Sequence, residues 1–525
     1  NYFYSMYMMP ISLDIREFKQ AKNPEDGKMY WWEKGSGQNP YWAKDYNTNQ
    51  DKRNRFLLNG SLKYQITDWL NAEIKAGSDM YFTETETKLY AGSPSSENGR
   101  YSFGEQKFYE NNFSFLVTAQ KDRVLGDFGG VFTFGGNLME RKSTGVSNSV
   151  SALTVPDLFW LTNSTDSNRS ISQTYTHRKT NSLYGTLGVN YDGWAFLDLT
   201  GRNDWSSTLS KSNRSFFYPS VSLGWVFTEV EALKNDILTF GKIRGSYAEV
   251  GMAGEYVPSY YYTPSYGGGF FQGTPIMYPI NGNMAYIPYF VVYDPNLKPQ
   301  NTKSYELGAD LTFLNGLVSL NYTYSRQNVK DQIFEVPLAG STGASSMMMN
   351  GGKMHSNVHE ITLGISPVDT KNFKLDFAFN FSKIDNYVDE LAPGVESIML
   401  GGFVTPQVRA GIGDKFPVIY GVGYKRDGEG RIVVNEKGIP EAGETQVIGK
   451  VSPDFRLGFN TNIELYKFRL AAVFDWKQGG QMYSGTAGET NFYGTSKLSG
   501  EVRKSDKYHF DYAAVEQKGV DADGK

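Results

Sequence analysis

The chain holds 525 residues, with 36 Tyr, 34 Phe and 56 Gly, no cysteine and a formal net charge of −4. The near balance of charge leaves no basic stripe and gives no support to a nucleic-acid footprint, and the lack of cysteine excludes disulfides, thiolate nucleophiles and cysteine-ligated metals. No apolar run reaches the roughly 18 residues of a membrane-crossing helix, but this leaves a membrane barrel open, because its strands of about 10 residues alternate and average out in hydropathy.

Period-two alternation predicts fourteen strands, within 55–66, 70–88, 102–120, 127–141, 177–191, 194–208, 213–227, 239–250, 302–313, 317–332, 356–366, 373–386, 454–464 and 468–481. The hairpin ELGADLTFLNGLVSLNYTYS (306–325) shows the pattern best: Leu307, Leu311, Val318 and Leu320 alternate with Glu306, Asp310, Asn321 and Thr323 around an Asn-Gly turn. Short connections recur at every second link: Thr67-Asp68-Trp69, 123–127, Asp192-Gly193, Leu314-Asn315-Gly316, 368–372 and Leu465-Tyr466-Lys467, with 228–238 somewhat longer. The intervening links are long (89–101, 142–176, 251–301, 333–355 and 387–453), apart from 209–212.

Short and long links in alternation mean that neighbouring strands run up and down, with tight turns at one end and large loops at the other. That is the layout of an all-β transmembrane antiparallel barrel. A propeller would show a blade repeat, and none is found; a sandwich would break the alternation with Greek-key links. The reading therefore puts Leu307, Leu311, Val318 and Leu320 against lipid and Glu306, Asp310 and Asn321 on the lumen. Arg456, Asn460 and Glu464 repeat the polar face opposite Phe455, Leu457, Phe459 and Ile463. Trp69, Tyr191, Trp194, Tyr466 and Trp476 sit near strand ends and fit interfacial aromatic girdles.

The stretch NLKPQNTKSYELGADLTF (296–313) resembles the signature of the SusC/RagA family of TonB-dependent outer-membrane transporters of Bacteroidetes. So do RNRFLLNGSLKYQITDWLNAEIKAG (53–77), GRNDWSSTLSKSNRSFFYPSVSLGWVFTE (201–229), GKIRGSYAEVG (241–251), NYTYSRQNVKDQIFEVPL (321–338) and VIGKVSPDFRLGFNTNIELYKFRLAAVFDWKQGGQ (447–481), in the family's order. Ala248, Met252 and Gln300-Asn301 depart from common family residues without touching the architecture. The resemblance implies a barrel of about 22 strands, of which this chain would supply about fourteen. Residues 1–525 are then expected to be a partial barrel, with outer loops at 142–176, 251–301, 333–355 and 387–453, and with the plug and N-terminal domains elsewhere. The ends Asn1-Tyr2-Phe3-Tyr4, with no signal-peptide features, and Val520–Lys525 read as cuts through a longer protein.

Chemistry is sparse. His355 and His359 are four apart in a strand-like region, where that spacing does not build a metal pair. RAGIGDK (409–415) lacks phosphate-cradling spacing. RDGEGR (426–431) and DADG (521–524) lack the full calcium register, so no cofactor is expected and calcium is unsupported. The aromatic loop 251–301 offers Tyr260, Tyr261, Tyr262, Tyr266, Phe270, Phe271, Tyr286 and Tyr289 for a partner lipoprotein, for substrate, or for packing on itself. The Met cluster in 340–354 offers an adaptable surface or simple loop packing.

The resemblance implies an importer, not an enzyme, in the outer membrane of a Gram-negative bacterium. Its implied partners are outer-membrane lipid, a SusD-like surface lipoprotein and the TonB-ExbB-ExbD energy-coupling complex. Oligosaccharide is the expected cargo, with oligopeptide as the alternative and a passive porin or adhesive barrel as the rival. Whether two transporter–lipoprotein pairs form a dimer is left open.

Overall fold

Fourteen strands pair in chain order into one antiparallel sheet. A computed structural model describes residues 2–33, 37–233, 235–254, 262–265, 269–271, 274–275, 282, 285–288, 291–504 and 519–521. The strands are β1 (Asn47–Thr67), β2 (Leu70–Leu89), β3 (Arg100–Leu125), β4 (Phe128–Val150), β5 (Arg169–Tyr191), β6 (Ala195–Ser206) and β7 (Ser215–Val226). They continue as β8 (Leu238–Met252), β9 (Gln300–Phe313), β10 (Val318–Lys330), β11 (Lys353–Asp369), β12 (Phe373–Glu390), β13 (Pro453–Leu465) and β14 (Phe468–Gly479). Among the described residues, β1 and β14 are the two edges and no ladder joins them.

Six of the seven links at one end of the wall are tight; the seventh, 227–237, holds two 3-10 turns and is longer than 207–214 at the other end. The turn between β5 and β6 shows why they are tight. Asp192 and Gly193 have φ of 45° and 74°, the left-handed pair that the primed hairpin turn demands and that Asp-Gly tolerates. Leu314, Asn315 and Gly316, also at positive φ, make the corresponding turn between β9 and β10.

At the other end the strands run further than the alternation foretold. The expected loop 142–176 shrinks to 151–168, because β4 and β5 stay paired from Phe128↔Tyr191 to Val150↔Arg169. The expected loop 333–355 contains two paired strands, Ile333–Pro337 and Ser346–Asn350. The expected loop 387–453 contains a four-stranded sheet of Ser397–Gly402, Gln407–Gly411, Val418–Tyr424 and Ala442–Lys450. The reason is physical. Backbone groups pair whatever the side chains are, but alternation is imposed only where one face meets apolar surroundings. Beyond that belt both faces are polar, as in Ser143-Thr144-Gly145-Val146-Ser147-Asn148, and the period-two signal fades while the ladder continues.

The wall is one layer and has no interior of its own. Its apolar face is bare: Leu62 is 66% exposed, Leu307 65% and Leu470 63%. A bare apolar surface of this extent in water would be a severe liability; against lipid it is ordinary. Among the described residues, two hydrophobic core clusters form at the long-loop end. Tyr101, Val150 and Leu153 close one beneath 151–168, and Leu209, Ala253 and Leu297 another. Before β1, Trp42 is fully buried beside Asn39. The Asn39 amide donates to the carbonyls of Phe18 and Tyr30, both at 2.8 Å, while its oxygen caps the helix Pro40–Tyr46 by accepting from Tyr41 N.

Candidate functional site

Register decides which side chains share a face. Lys242 stands opposite Asp310, and Asp310 opposite Asn321; Arg244 stands opposite Gly308, and Gly308 opposite Thr323. These rows are polar, and the rows between them carry Ile243, Leu307, Leu311, Leu320 and Tyr322. The same division runs along β1, where Arg53, Arg55, Asn59, Ser61, Lys63 and Gln65 alternate with Phe56, Leu58, Leu62, Tyr64 and Ile66.

The polar face is tied together at Arg244. Its Nη1 donates to Glu306 Oε1 at 2.5 Å and its Nη2 to Thr323 Oγ1 at 2.5 Å. Its Nε lies 3.5 Å from Asp310 Oδ2, and Asn321 donates to Asp310. One guanidinium thus spans β8, β9 and β10. Gly308 makes this possible, because a Cβ there would stand 2.6 Å from Arg244 Cζ. A second knot lies on β5–β7. Arg202 Nε donates to Asp204 Oδ1 and Nη2 to Ser182 Oγ, both at 2.8 Å, and Tyr218 OH donates to Asp204 Oδ2 at 2.5 Å. Thr133 with Thr186, and Thr200 with Ser220, exchange hydroxyl hydrogen bonds across strands.

Of the polar residues read from the sequence, Glu306, Asp310 and Asn321 come together around Arg244. Glu464 joins a different group, 3.7 Å from Arg469 Nε, which also donates to Asn462 at 2.7 Å. Arg456 and Asn460 share its face but not its contacts; Arg456 stands opposite Ser382 and Lys477, and Asn460 opposite Ala378 and Val473. Tyr260, Tyr261, Tyr266 and Tyr289 lie outside the described residues. For Tyr262, Phe270, Phe271 and Tyr286 only the backbone strand is described, so their side chains too lie outside the described structure.

Thr323 stands on the polar face where the alternation places it; Arg244, Arg202 and Tyr218 were not singled out by sequence reasoning. Alternation in GKIRGSYAEVG places Arg244 on the polar side, but its partners depend on register between strands 62 and 79 positions away.

On the apolar face the rings of Phe379, Phe459 and Phe474 follow one another across β12–β14 at 4.9 and 6.0 Å, and Trp476 meets Phe455 edge-on at 5.5 Å. Tyr191 packs edge-on to Trp194 at 5.4 Å at the short-turn end, where Trp69 and Tyr466 also lie. The two histidines of β11 part company. His355 Nδ1 lies 2.7 Å from Asp389 Oδ1, and His359 Nδ1 lies 3.0 Å from Tyr322 OH. In RDGEGR, Asp427 Oδ1 accepts from the amides of Glu429 and Arg431, and its Oδ2 from Arg431 Nε at 2.8 Å. Turn formation uses that carboxylate fully.

Comparison with known proteins agrees with this geometry. A family described as TonB dependent receptor-like, beta-barrel, matches residues 12–402. The chain is 24% identical over 507 residues to TonB-dependent receptor P26 of Formosa agariphila, a match covering 88% of this chain and 49% of that protein. It is 26% identical over 223 residues to TonB-dependent receptor SusC of Bacteroides thetaiotaomicron, covering 41% of this chain and 21% of that one. Among solved structures, the RagAB peptide transporter superposes with a TM-score of 0.73 at 17% identity, covering 87% of this chain and 51% of that chain. At that identity the likeness is one of fold. The chain spans about half the length of P26 and of the RagAB chain.

Proposed function

The chain belongs to the TonB-dependent receptor-like β-barrel family, and from that premise we propose that it forms wall and outer loops of an active importer that takes up oligosaccharides handed over by a SusD-like surface lipoprotein. The family lies in the outer membrane of Gram-negative bacteria, and its members transport rather than catalyse. In this reading the apolar face meets lipid, the polar face lines the lumen, and the long-loop end is the outer mouth. A plug carried by the rest of the protein closes the lumen. The TonB-ExbB-ExbD complex displaces it using the inner-membrane proton gradient.

The observation that carries the reading is a continuous polar face, rich in Ser, Thr and Asn, behind a bare apolar one. Hydroxyl and amide groups in a wet lumen exchange hydrogen bonds readily with a polyhydroxylated cargo. The test is mass spectrometry of the complex extracted from outer membranes in mild detergent, with uptake measured before and after collapse of the proton gradient. A co-purifying lipoprotein, glycan-active partners and gradient-dependent oligosaccharide uptake are expected. A lipoprotein with peptidases or bound peptides would move the cargo to peptides. Uptake that survives loss of the gradient would sink the importer.

A further inference from the structure

Towards the long-loop end of β1–β5, the polar face carries an arrangement that the wall itself does not need. Arg53 lies over the Tyr81 ring at 4.7 Å, Tyr81 stacks on Phe108 at 4.5 Å, and Arg141 lies 5.9 Å from the Phe108 ring. This four-layer stack holds two guanidiniums in fixed places. Arg141 also binds Glu110 at 2.6 Å, and Arg55 binds Asp79 at 2.7 Å. Directly across from Arg141 on the ladder stands Arg178. Like charges in directly opposed positions repel. Arg178 has no carboxylate of its own, and its Nε is buried without a hydrogen-bond partner. The acidic groups of this face beside the stack are Asp51, Asp79 and Glu110, of which the last two are committed to Arg55 and Arg141; Glu73, Asp198 and Asp204 lie further along the same face.

Two steps further along the strands is a depression of about 200 Å³, lined by Thr83, Gln106, Ser147 and Thr174 and floored by Gly104 and Gly145, with Glu105 and Val146, whose ladder positions belong to the opposite face, completing its wall. Its polar-face lining is hydroxyl, amide and backbone, with no apolar side chain from that face to receive one from a peptide. Thr174 and Arg178 are four residues apart on one strand, roughly 13 Å at about 3.3 Å per residue, which is within reach of two or three linked sugar rings.

We propose that this patch binds an acidic oligosaccharide, its carboxylate or sulfate between Arg141 and Arg178 and a neighbouring sugar unit in the hydroxyl-lined depression. A bound anion relieves the repulsion between the opposed arginines. The inference rests on the reading that the polar face lines the lumen of an oligosaccharide importer. It adds a charge preference and a place.

The experiment titrates the full-length receptor in detergent with trigalacturonate and with maltotriose, a neutral trisaccharide, for the parent protein, Arg178→Gln and Gly145→Val. A Cβ at Gly145 points towards the Thr174 hydroxyl, 2.7 Å away, so valine fills the depression. Trigalacturonate should bind at least tenfold more tightly than maltotriose. Arg178→Gln should erase that preference, and Gly145→Val should weaken the binding of both. Heat-modifiable migration on gels shows that each variant still forms a barrel. Equal binding of the two sugars, unmoved by Arg178→Gln, would overturn the proposal while leaving oligosaccharide uptake to stand on its transport assay. Displacement by equimolar inorganic sulfate, with Gly145→Val silent, would reduce the site to an ion site and also overturn it. Loss of both binding and uptake of any oligosaccharide would bring down this inference and the proposed cargo together.

Discussion

Gly308 stands on β9 because Arg244 needs the room. With any Cβ there the guanidinium must move, and with it the ties to Glu306, Asp310 and Thr323. Charged hydrogen bonds contribute about 1.5–3 kcal/mol when shielded. These groups are about a third exposed, which cuts the contribution towards that of surface pairs. Arg244→Gln should therefore cost about 1–2 kcal/mol, and Gly308→Ala rather less. Because both changes remove the same contacts, Gly308→Ala should cost almost nothing in the Arg244→Gln background. Urea unfolding of the protein in lipid vesicles measures all three. Additive losses would show that Gly308 serves some end other than making space for the guanidinium. The sequence made Glu306, Asp310 and Asn321 legible as polar-face residues, because alternation is a local property. It could not show that Arg244 would join them, since that depends on strand register over dozens of residues, nor that Arg178 would face Arg141.

At the scale of the element, alternation sets which face meets what. Leu307 is 65% exposed on the apolar face, and Ser325, its neighbour across the ladder by one step, is buried on the polar face opposite Glu306. An arginine against lipid near the midplane costs about 2–4 kcal/mol, falling towards the interfaces. Leu307→Arg should lower folding yield into bilayers by about that much, while Asn321→Arg on the polar face should cost far less. A reversed order would mean that the faces are assigned the wrong way round. The fourteen strands and the six tight turns were readable from the sequence because the apolar belt imprints itself on every strand. The small sheet within 390–453 was not, because its strands are short and bury neighbouring residues such as Val418 and Ile419, which leaves no clean alternation. Its turn at Asp427 makes a separate prediction. Burial pushes that carboxyl up, but hydrogen bonds from the Arg431 amide and guanidinium and the Glu429 amide outweigh it and hold it below the usual carboxylate range. A lowered folded value means that the turn gains stability above the unfolded value of about 3.9, and loses it as pH falls through the folded one. Protection of the Arg431 amide, measured against its intrinsic exchange rate at each pH, should therefore fall below about pH 4. In Asp427→Asn that protection should be low already at pH 7 and should not drop further on acidification. Unchanged protection in that variant would show that the carboxylate does not hold the turn.

For the whole molecule the question is which end of the wall faces outward. Six tight turns at one end, and layered loops with their own cores at the other, match the asymmetry of outer-membrane barrels, whose short turns lie on the periplasmic side. The two segments that flank the wall meet at the long-loop end, where Thr495 Oγ1 donates to the Tyr7 carbonyl at 3.1 Å. The chain has no cysteine, so a thiol introduced here reports its own side of the membrane with no background from this part of the protein. Lys437 lies in an exposed turn of the loop layer, and Asp127 is exposed in the tight turn between β3 and β4. In the full-length protein, Lys437→Cys should react with a membrane-impermeant maleimide on intact cells. Asp127→Cys should react only after the outer membrane is opened. Both thiols sit on water-exposed turns, so a difference in labelling between them reports topology rather than burial. The reverse pattern would turn the wall upside down and put the aromatic loop, the paired arginines and the small outer sheet in the periplasm, where none of them could meet a nutrient arriving from outside.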